Sequence, residues 1–208
     1  MANSNSGTKG VPRSVREKQI IDVAIRHFGT NKYADTLVID VANEINVSKT
    51  LIFSYFESKE GLFKACLAHA GNALIHEATK ISSISDFENQ FRPLATLEQM
   101  FMSLEGREHF WPMFFDQTAP PESKKMMSEY RHVINEAAET GVRRLLTHFG
   151  LDDDLNVSVL TEVWIAVSSA LITWWNRHPE ISAKEMSDRV NRIALTFLGD
   201  QDRTKQDP

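Results

Sequence analysis

A short run in the N-terminal third of the chain places hydrogen-bonding side chains between aromatic ones. The run VSKTLIFSYFESKEGLF covers residues 47–63 and puts Lys49, Thr50 and Ser54 on the polar side of one short helix. A lysine can donate hydrogen bonds to guanine edges or to phosphate, and a threonine methyl group can pack against the methyl group of thymine. On residue type alone, contact with double-stranded DNA and an ordinary solvated helix face both remain open.

Other side chains near this run could bind phosphate. Thr36 is expected at a helix N-terminus, where backbone amides and a hydroxyl converge on an anion. Ser48 is predicted to cap the next helix, with or without a phosphate contact. Arg13 and Arg16 open the first helix and could grip a phosphate backbone or simply be solvated. The direction of Tyr55 is left open, because its neighbours Ser54 and Phe56 should point different ways.

Charge is distributed unevenly along the chain. The 208 residues carry a net charge of −5, but residues 1–64 contain nine basic and seven acidic residues and are net positive. Only this part of the chain is suited to approach a polyanion. A single cysteine, Cys66, excludes an intramolecular disulfide and suits a cytoplasmic location. No apolar run is expected to approach the roughly 18 residues of a membrane span.

Apolar periodicity and capping signals predict an all-α fold. Capping boxes are expected at Ser14–Glu17, Ser85–Glu88 and Ser182–Glu185, and Ser48 and Ser58 are expected to cap further helices. The carboxylates of 152–154 suit a helix start, and Gly150 suits a helix end. The predicted helices cover residues 14–29, 36–45, 48–55, 59–80, 85–104, a short stretch of 105–117, 122–149, 152–177 and 182–198.

The second and third predicted helices are joined by a tight turn, which is typical of a helix-turn-helix. Residues 18–67 resemble the N-terminal domain of the tetracycline-repressor (TetR) family of bacterial transcriptional regulators. The resemblance is carried by the Ile-Ile, Ala and Phe face of the first helix, by Tyr-x-x-Thr before the second, by Val-Ala and Val-Ser at the turn, by Phe-x-Tyr-Phe and by Ser-Lys-Glu-x-Leu.

The chain departs from the family pattern at three positions. Lys32 and Asn46 stand where the family usually has glycine, and Asn46 can take the left-handed backbone conformation at modest cost. Lys32 puts only the shape of its loop in question. Phe53 stands where the family usually has tyrosine, so one phosphate hydrogen bond common in the family should be missing.

The resemblance implies the layout and the function of the chain. It implies a DNA-binding domain (13–57) and a ligand-binding and dimerisation domain (58–200), while the polar composition of the two ends predicts a disordered arm (1–12) and a frayed tail (201–208). The expected function is that of a dimeric repressor released from operator DNA when a small, largely apolar molecule binds. A transcriptional activator and a helical protein-binding adaptor remain alternatives. Lys59 resembles the family's phosphate-contacting lysine. The candidate DNA-binding residues are Arg13, Arg16, Thr36, Ser48, Lys49, Thr50, Ser54, Tyr55 and Lys59.

Two sets of apolar residues are candidates for the remaining interactions. The aromatic-rich segment 91–115 could line an adaptable pocket or be ordinary core. The candidate pocket residues are Phe101, Met102, Trp111, Phe115 and Trp174. The last two long helices are apolar on more than one side, which requires a second packing partner. The resemblance implies that this partner is the same helix pair of a second copy, and packing within one chain is the alternative. The candidate interface residues are Val163, Val167, Leu171, Val190, Ile193 and Phe197.

Nothing in the sequence resembles a catalytic or cofactor-binding motif. It has no Gly-x-Ser-x-Gly, no phosphate-binding P-loop and no Gly-x-Gly-x-x-Gly. Cys66 falls on an apolar helix face and is expected in the core. The sequence therefore predicts no catalytic residue, no metal and no cofactor, and its expected partners are DNA, an effector and a second copy, without a membrane. A small all-α enzyme with a hydrophobic pocket is the rival hypothesis.

Overall fold

The computed structural model describes residues 11–83 and 93–198, and this part of the chain is built from α-helices without strands. The all-α prediction is therefore confirmed. The predicted capping box at Ser85–Glu88 and the predicted arm and tail lie outside the described residues. The helices are α1 (Arg13–Asp35), α2 (Val38–Glu44), α3 (Lys49–Phe56), α4 (Lys59–Ser82), α5 (Pro93–Leu104), α6 (Phe110–Met113), α7 (Pro121–Phe149), α8 (Asp154–Trp175) and α9 (Ala183–Leu198).

The chain divides into two compact units that differ from the expected domains. Unit 1 consists of the residues up to His76 together with His109–Glu136, and unit 2 consists of Glu77–Glu108 together with the residues from Ala137 onward. Helices α4 and α7 each contribute residues to both units. The predicted domain boundary near residue 57 stays a prediction. Unit 1 contains α1 to α3 together with later parts of the chain, and this division reflects compactness and not function.

The core of unit 1 is organised around the apolar face of α1. Ile20, Ala24 and Phe28 recur every four residues and are fully or almost fully buried. The ring of Phe28 meets the ring of Phe63 from α4 edge-on, with centroids 4.8 Å apart. Burying a phenylalanine side chain contributes roughly 1.5–3 kcal/mol. This pair therefore ties α1 to α4, and α1 in turn packs on α2 and α6.

Helix α1 differs from its prediction at both ends. Pro12 occupies the N-cap position and α1 begins at Arg13, so the predicted capping box at Ser14 is wrong: Ser14 already lies inside the first turn. The predicted end near Gly29 lies close to a break in the helix. The helix reaches Asp35 with one interruption at Lys32, whose backbone has φ 65° and ψ 168°.

The helix-turn-helix itself forms as expected, with one corrected cap. The Ser48 hydroxyl accepts the Leu51 amide at 3.1 Å, which confirms it as the cap of α3. Asn46 has φ 53° and provides the predicted left-handed turn. Thr36 does not cap α2, which begins at Val38 after Leu37. Glu57 also has a positive φ, of 65°, which no sequence signal indicates.

Unit 2 is held together by a small aromatic and aliphatic core. Helix α5 packs on α9, and the rings of Phe101 and Trp175 meet edge-on at 5.6 Å. The Trp175 indole N–H donates to the Ile181 carbonyl at 2.6 Å, so the buried ring has a hydrogen-bond acceptor as well as an apolar packing partner. A second cluster joins α7 to α8 and consists of Val142, Leu146 and Val157, with Leu160 against it.

The helix ends of unit 2 follow their predicted signals. The Asp153 carboxylate accepts the amides of Leu155 and Asn156 at 3.1 and 3.0 Å and caps α8. The Ser182 hydroxyl accepts the Glu185 amide at 3.2 Å at the start of α9. Gly150 has φ 68° and closes α7. Predictions from local hydrogen bonding are thus confirmed here.

Helix α8 corrects one expectation about membranes. By length and composition it is apolar enough to span a bilayer, although only 22% of its most apolar window is buried inside the chain. The expectation that no such run occurs is wrong. Large apolar side chains remain exposed along it: Leu155, Val159, Val163, Val167 and Trp174. An exposed apolar row of this kind is typical of an interaction surface.

Backbone strain at Lys32 generates a stability prediction. A φ of 65° with ψ near 170° is a conformation that glycine adopts freely and that costs other residues about 1–3 kcal/mol. Lys32→Gly should raise the free energy of unfolding by about 1 kcal/mol after the entropy of the unfolded glycine is deducted. Denaturant titration measures this.

Asn46→Gly is the matched control. Asparagine tolerates its left-handed turn, so this exchange should change the free energy of unfolding by only a few tenths of a kcal/mol. A Lys32→Gly protein that is less stable than the parent would show that the lysine is not strained.

Candidate nucleic-acid interface

Helix α3 separates a buried face from an exposed polar one. Ile52 is fully buried and Phe56 is 8% exposed, so both belong to the core. Lys49, Thr50 and Ser54 lie on the exposed side. The eight-residue helix therefore combines a fixed apolar base with a lysine and two hydroxyl side chains that face solvent.

Phe53 lies between these two faces. Its side chain is half-buried, and the Lys49 ammonium lies 5.3 Å from the centre of its ring. A cation over an aromatic face is attracted by the ring's quadrupole. This contact favours one orientation of Lys49 along the exposed side of α3, so Phe53 positions a lysine even though it offers no hydroxyl.

Arg13 and Tyr55 are brought together although they lie far apart in the sequence. The Arg13 guanidinium lies 4.7 Å from the centre of the Tyr55 ring. Arg13 is exposed and Tyr55 is half-buried. The first residue of α1 therefore adds a positive charge beside α3, a placement that the sequence alone could not predict.

The hydroxyls of Ser48 and Ser54 are partly engaged within the helix. Ser48 accepts the Leu51 amide, and Ser54 donates to the Leu51 carbonyl at 2.7 Å. Both side chains are exposed. A hydroxyl has further hydrogen-bonding capacity, so neither bond removes these residues from the candidate interface.

Two candidate DNA-binding residues are contradicted by burial. Thr36 is 1% exposed, and its hydroxyl donates to the carbonyls of Lys32 and His27 at 2.7 and 3.1 Å. It stabilises the end of α1 and does not offer a hydroxyl to phosphate. Arg16 is 8% exposed, and its guanidinium donates to the Gln19 side chain at 3.0 Å. Neither side chain is presented at the surface of this chain.

Lys59 is held by the backbone just before α2. Its ammonium donates to the Ala34 carbonyl at 3.2 Å and lies 4.5 Å from the centre of the Tyr33 ring. Partial burial lowers the pKa of Lys59, while the nearby Asp35 and Asp116 carboxylates oppose that change. The lysine thus has a structural role that local sequence did not indicate.

An ion-pair cluster joins α1 to α2. The Glu44 carboxylate accepts from the Arg26 guanidinium, and the ring nitrogen Nε2 of His27 lies 2.8 Å from its other oxygen. The hydrogen bonds with His27 and then with Arg26 lower the pKa of Glu44. Sequence reasoning missed this cluster because the partners lie 17 and 18 residues apart, and only their opposite charges hint at a pair.

The candidate pocket residues fall in two units and differ in exposure. In unit 2, Phe101 is fully buried, while Met102 is 52% and Trp174 is 36% exposed. Met102 and Trp174 point away from that core because they follow or precede its buried aromatics, Phe101 and Trp175, by one residue on a helix. Their role in binding a ligand stays a prediction.

In unit 1, Trp111 is buried and Phe115 is 41% exposed. Their rings lie 5.2 Å apart, and the Arg131 guanidinium lies 5.5 Å from the centre of the Phe115 ring. The two residues therefore form a contact with each other. Their role in binding a ligand stays a prediction.

The candidate interface residues largely retain exposed apolar surface. Val163, Val167 and Ile193 are 52%, 44% and 59% exposed, and Leu171 and Val190 are half-buried. The Phe197 side chain lies outside the described residues. The exposed valines lie four residues apart on one side of α8, as a helix–helix contact requires.

Clusters of metal-ligating side chains and the single thiol are two further places where chemistry could occur. Among residues 11–83 and 93–198, no group of three or more His, Cys, Asp or Glu side chains is placed to hold a metal ion. Cys66 is fully buried, and burial raises the pKa of its thiol far above the ordinary value. A thiol held protonated in the core is a poor nucleophile.

Sequence comparison matches the helix-turn-helix part of the chain to a family. Residues 20–66 match the family described as bacterial regulatory proteins, tetR family. The match covers α2, α3 and parts of α1 and α4, so it includes Lys49, Thr50 and Ser54. No curated protein matches the sequence.

Solved structures match most of the chain at low sequence identity. A TetR family transcriptional regulator, PfmR from Thermus thermophilus, is 20% identical, with 85% of this chain and 97% of that one covered and a TM-score of 0.63. A TetR-like regulator from Rhodococcus sp. RHA1 is 17% identical, with coverages of 92% and 100% and a TM-score of 0.63. FadR of Bacillus subtilis, in complex with stearoyl-CoA, is 16% identical, with coverages of 83% and 94% and a TM-score of 0.60. These likenesses establish the fold.

The Glu44 cluster generates a pH prediction. A carboxyl with a lowered folded-state pKa contributes stability above its unfolded pKa of about 4.3, and that contribution is lost as pH falls through the folded value. Glu44→Gln should lower the free energy of unfolding at pH 7 by about 0.5–1 kcal/mol, because the pair is solvent-exposed.

At pH 3 the two proteins should be nearly equal in stability. Denaturant titration at both pH values gives the comparison, and Glu139→Gln, which removes an exposed carboxylate within one helix, is the control. A difference that persists unchanged at pH 3 would rule out the charge of Glu44 as its cause.

Proposed function

We infer that this chain, a TetR-family transcriptional regulator by its N-terminal domain and its fold, binds a specific double-stranded operator through the exposed face of α3. The observation that carries this proposal is the division of α3 into a buried base, Ile52 and Phe56, and an exposed lysine and hydroxyl face. A helix of this kind fits the major groove and can read base edges there.

The proposed contacts divide by their role. Lys49 and Thr50 read bases, while Ser48, Ser54, Tyr55, Arg13 and Lys59 lie where phosphate oxygens would pass and supply affinity that depends on salt. Arg13 brings positive charge beside Tyr55, and Lys59 brings it beside the Ala34 carbonyl at the end of α1. Arg16 and Thr36 are left out because of their burial.

Two copies are proposed to form the active species. The exposed apolar row on α8, together with Ile193 on α9, supports a second copy as its cover. Covering this row removes apolar surface from water, which favours association. The two copies of α3 would then bind half-sites about 34–36 Å apart on a palindromic DNA sequence. Insertion of α8 into a lipid bilayer is the alternative to a second copy. The proposed location of the protein is the cytoplasm.

The regulatory part of the proposal is release from DNA by a small, largely apolar effector. Aromatic side chains of both units support it, Phe101 and Trp175 in unit 2 and Trp111 and Phe115 in unit 1. The similar FadR structure contains stearoyl-CoA, which adds weight to an effector with an apolar chain. Helices α4 and α7 each contribute residues to both units. The alternatives are a transcriptional activator that binds DNA in the same way and a helical adaptor that binds only protein. We propose no catalytic activity.

Removing the Lys49 side chain tests the base contact. Lys49→Ala should weaken operator binding by about 1–3 kcal/mol and reduce the preference for operator over unrelated DNA, because a base-edge donor is lost. Titration of labelled operator at fixed salt measures both quantities. Lys125→Ala, an exposed lysine on α7, is the matched control and should bind normally. Full affinity and selectivity in Lys49→Ala would exclude the base contact.

A charge placed in the apolar row tests the second copy as its cover. Val163→Asp should convert dimers to monomers, because the interface would have to bury an unpaired carboxylate. Sedimentation equilibrium measures the state, and Val133→Asp, at an exposed valine of α7, should leave the dimer intact. A parent protein that is monomeric at micromolar concentration, or that sediments with vesicles, would contradict the proposal.

A further inference from the structure

The segment Asp116–Thr118, here called the latch, binds the backbone at the end of α1. The latch follows α6 and lies more than 80 residues from its target. Asp116 is 6% exposed, and one of its carboxylate oxygens accepts the Tyr33 amide. The Thr118 hydroxyl accepts the Ala34 amide at 3.0 Å. Two successive amides of α1 are thus bound by side chains of one distant segment.

These two amides need partners because of the interruption at Lys32. The non-helical backbone of Lys32 breaks α1, so Tyr33 and Ala34 begin a new turn of helix whose first amides lack helical acceptors. A carboxylate and a hydroxyl are the groups that satisfy such amides most effectively. The latch therefore acts as a cap supplied from elsewhere in the chain.

The latch is itself organised and anchored. The second carboxylate oxygen of Asp116 accepts the Thr118 amide at 2.8 Å and the Thr118 hydroxyl at 2.7 Å. The Arg131 guanidinium of α7 donates to the Phe114 carbonyl just before it. At the other end of α6, a Cβ atom on Gly29 would lie 2.4 Å from the His109 carbonyl oxygen, so glycine permits α1 to approach this segment closely.

The backbone held by the latch leads directly into the helix-turn-helix, which consists of α2 and α3. The Ala34 carbonyl accepts the Lys59 ammonium at 3.2 Å, and the buried Thr36 hydroxyl bonds the Lys32 carbonyl at 2.7 Å. Helix α2 begins two residues after Thr36. Whatever moves residues 33–36 therefore moves the start of the helix-turn-helix and the candidate phosphate-binding lysine together.

We propose that Asp116 and Thr118 are positioning residues for DNA binding: they hold the α1–α2 junction, and with it Lys59 and the helix-turn-helix, in the arrangement that fits DNA. The inference rests on the proposed DNA binding and extends it to a segment outside residues 20–66. Loss of the latch lowers operator affinity although neither residue contacts DNA. A shift of α6 that withdraws the latch would have the same effect as the substitutions.

Thr118→Val and Asp116→Asn test the proposal by removing the Ala34 partner and the carboxylate charge while keeping side-chain size. The probe is a double-stranded DNA enriched from a random-sequence pool by the parent protein. Asp116→Asn should bind it about tenfold more weakly, because a largely buried carboxylate that accepts the Tyr33 amide loses its charge. Thr118→Val should bind it about threefold more weakly, because its bond to the Ala34 amide is exposed to solvent. The Tyr33 and Ala34 amides should exchange hydrogen faster in the respective variants. Circular dichroism and the unfolding midpoint show whether the variants remain folded.

A matched control pair exists in unit 2, where the Thr147 hydroxyl donates to an Asp152 carboxylate oxygen at 2.9 Å. Thr147→Val and Asp152→Asn should leave DNA affinity unchanged. Normal affinity in both latch variants while these amides exchange faster would overturn the inference, as would an equal loss in the control pair. If the parent protein enriches no DNA, the proposed function fails first and the inference with it.

Discussion

The packing of Phe28 against Phe63 is the contact on which the rest of unit 1 depends. It fixes α1 on α4, α2 packs on α1, and α3 packs on α2. Helix α2 is tied to α1 by the Glu44 cluster, and α3 buries Ile52 and Phe56 beneath its exposed face. The exposed lysine and hydroxyl groups of α3 thus have defined positions because an apolar core holds their backbone.

Local hydrogen bonding explains why so much of the fold could be predicted from the sequence. Helix caps at Ser48, Asp153 and Ser182 and the left-handed turn at Asn46 depend on residues within a few positions of one another, and all four were recognisable. The Ser14 prediction failed because a capping pattern does not specify which of several adjacent residues begins the helix.

The candidate interface could be predicted in part, and the wrong predictions about its residues have one physical cause. The exposed face of α3 follows from helical periodicity, but the burial of Arg16 and Thr36 and the attachment of Lys59 depend on chain segments far away in sequence. The strained backbone at Lys32 has the same origin, since its following amides are satisfied by Asp116 and Thr118. Non-local contacts of this kind leave no periodic pattern, and the only sequence signal for any of them is a lysine at position 32, where the family usually has glycine.

The most direct test of sequence-specific DNA binding is enrichment of a random-sequence double-stranded DNA pool by the full chain, followed by titration of the enriched DNA at several salt concentrations. We expect a palindrome with half-site centres about 10–10.5 base pairs apart, and an affinity that falls steeply as salt rises. A pool that shows no enriched sequence, together with no binding at low ionic strength, would contradict sequence-specific binding through α3.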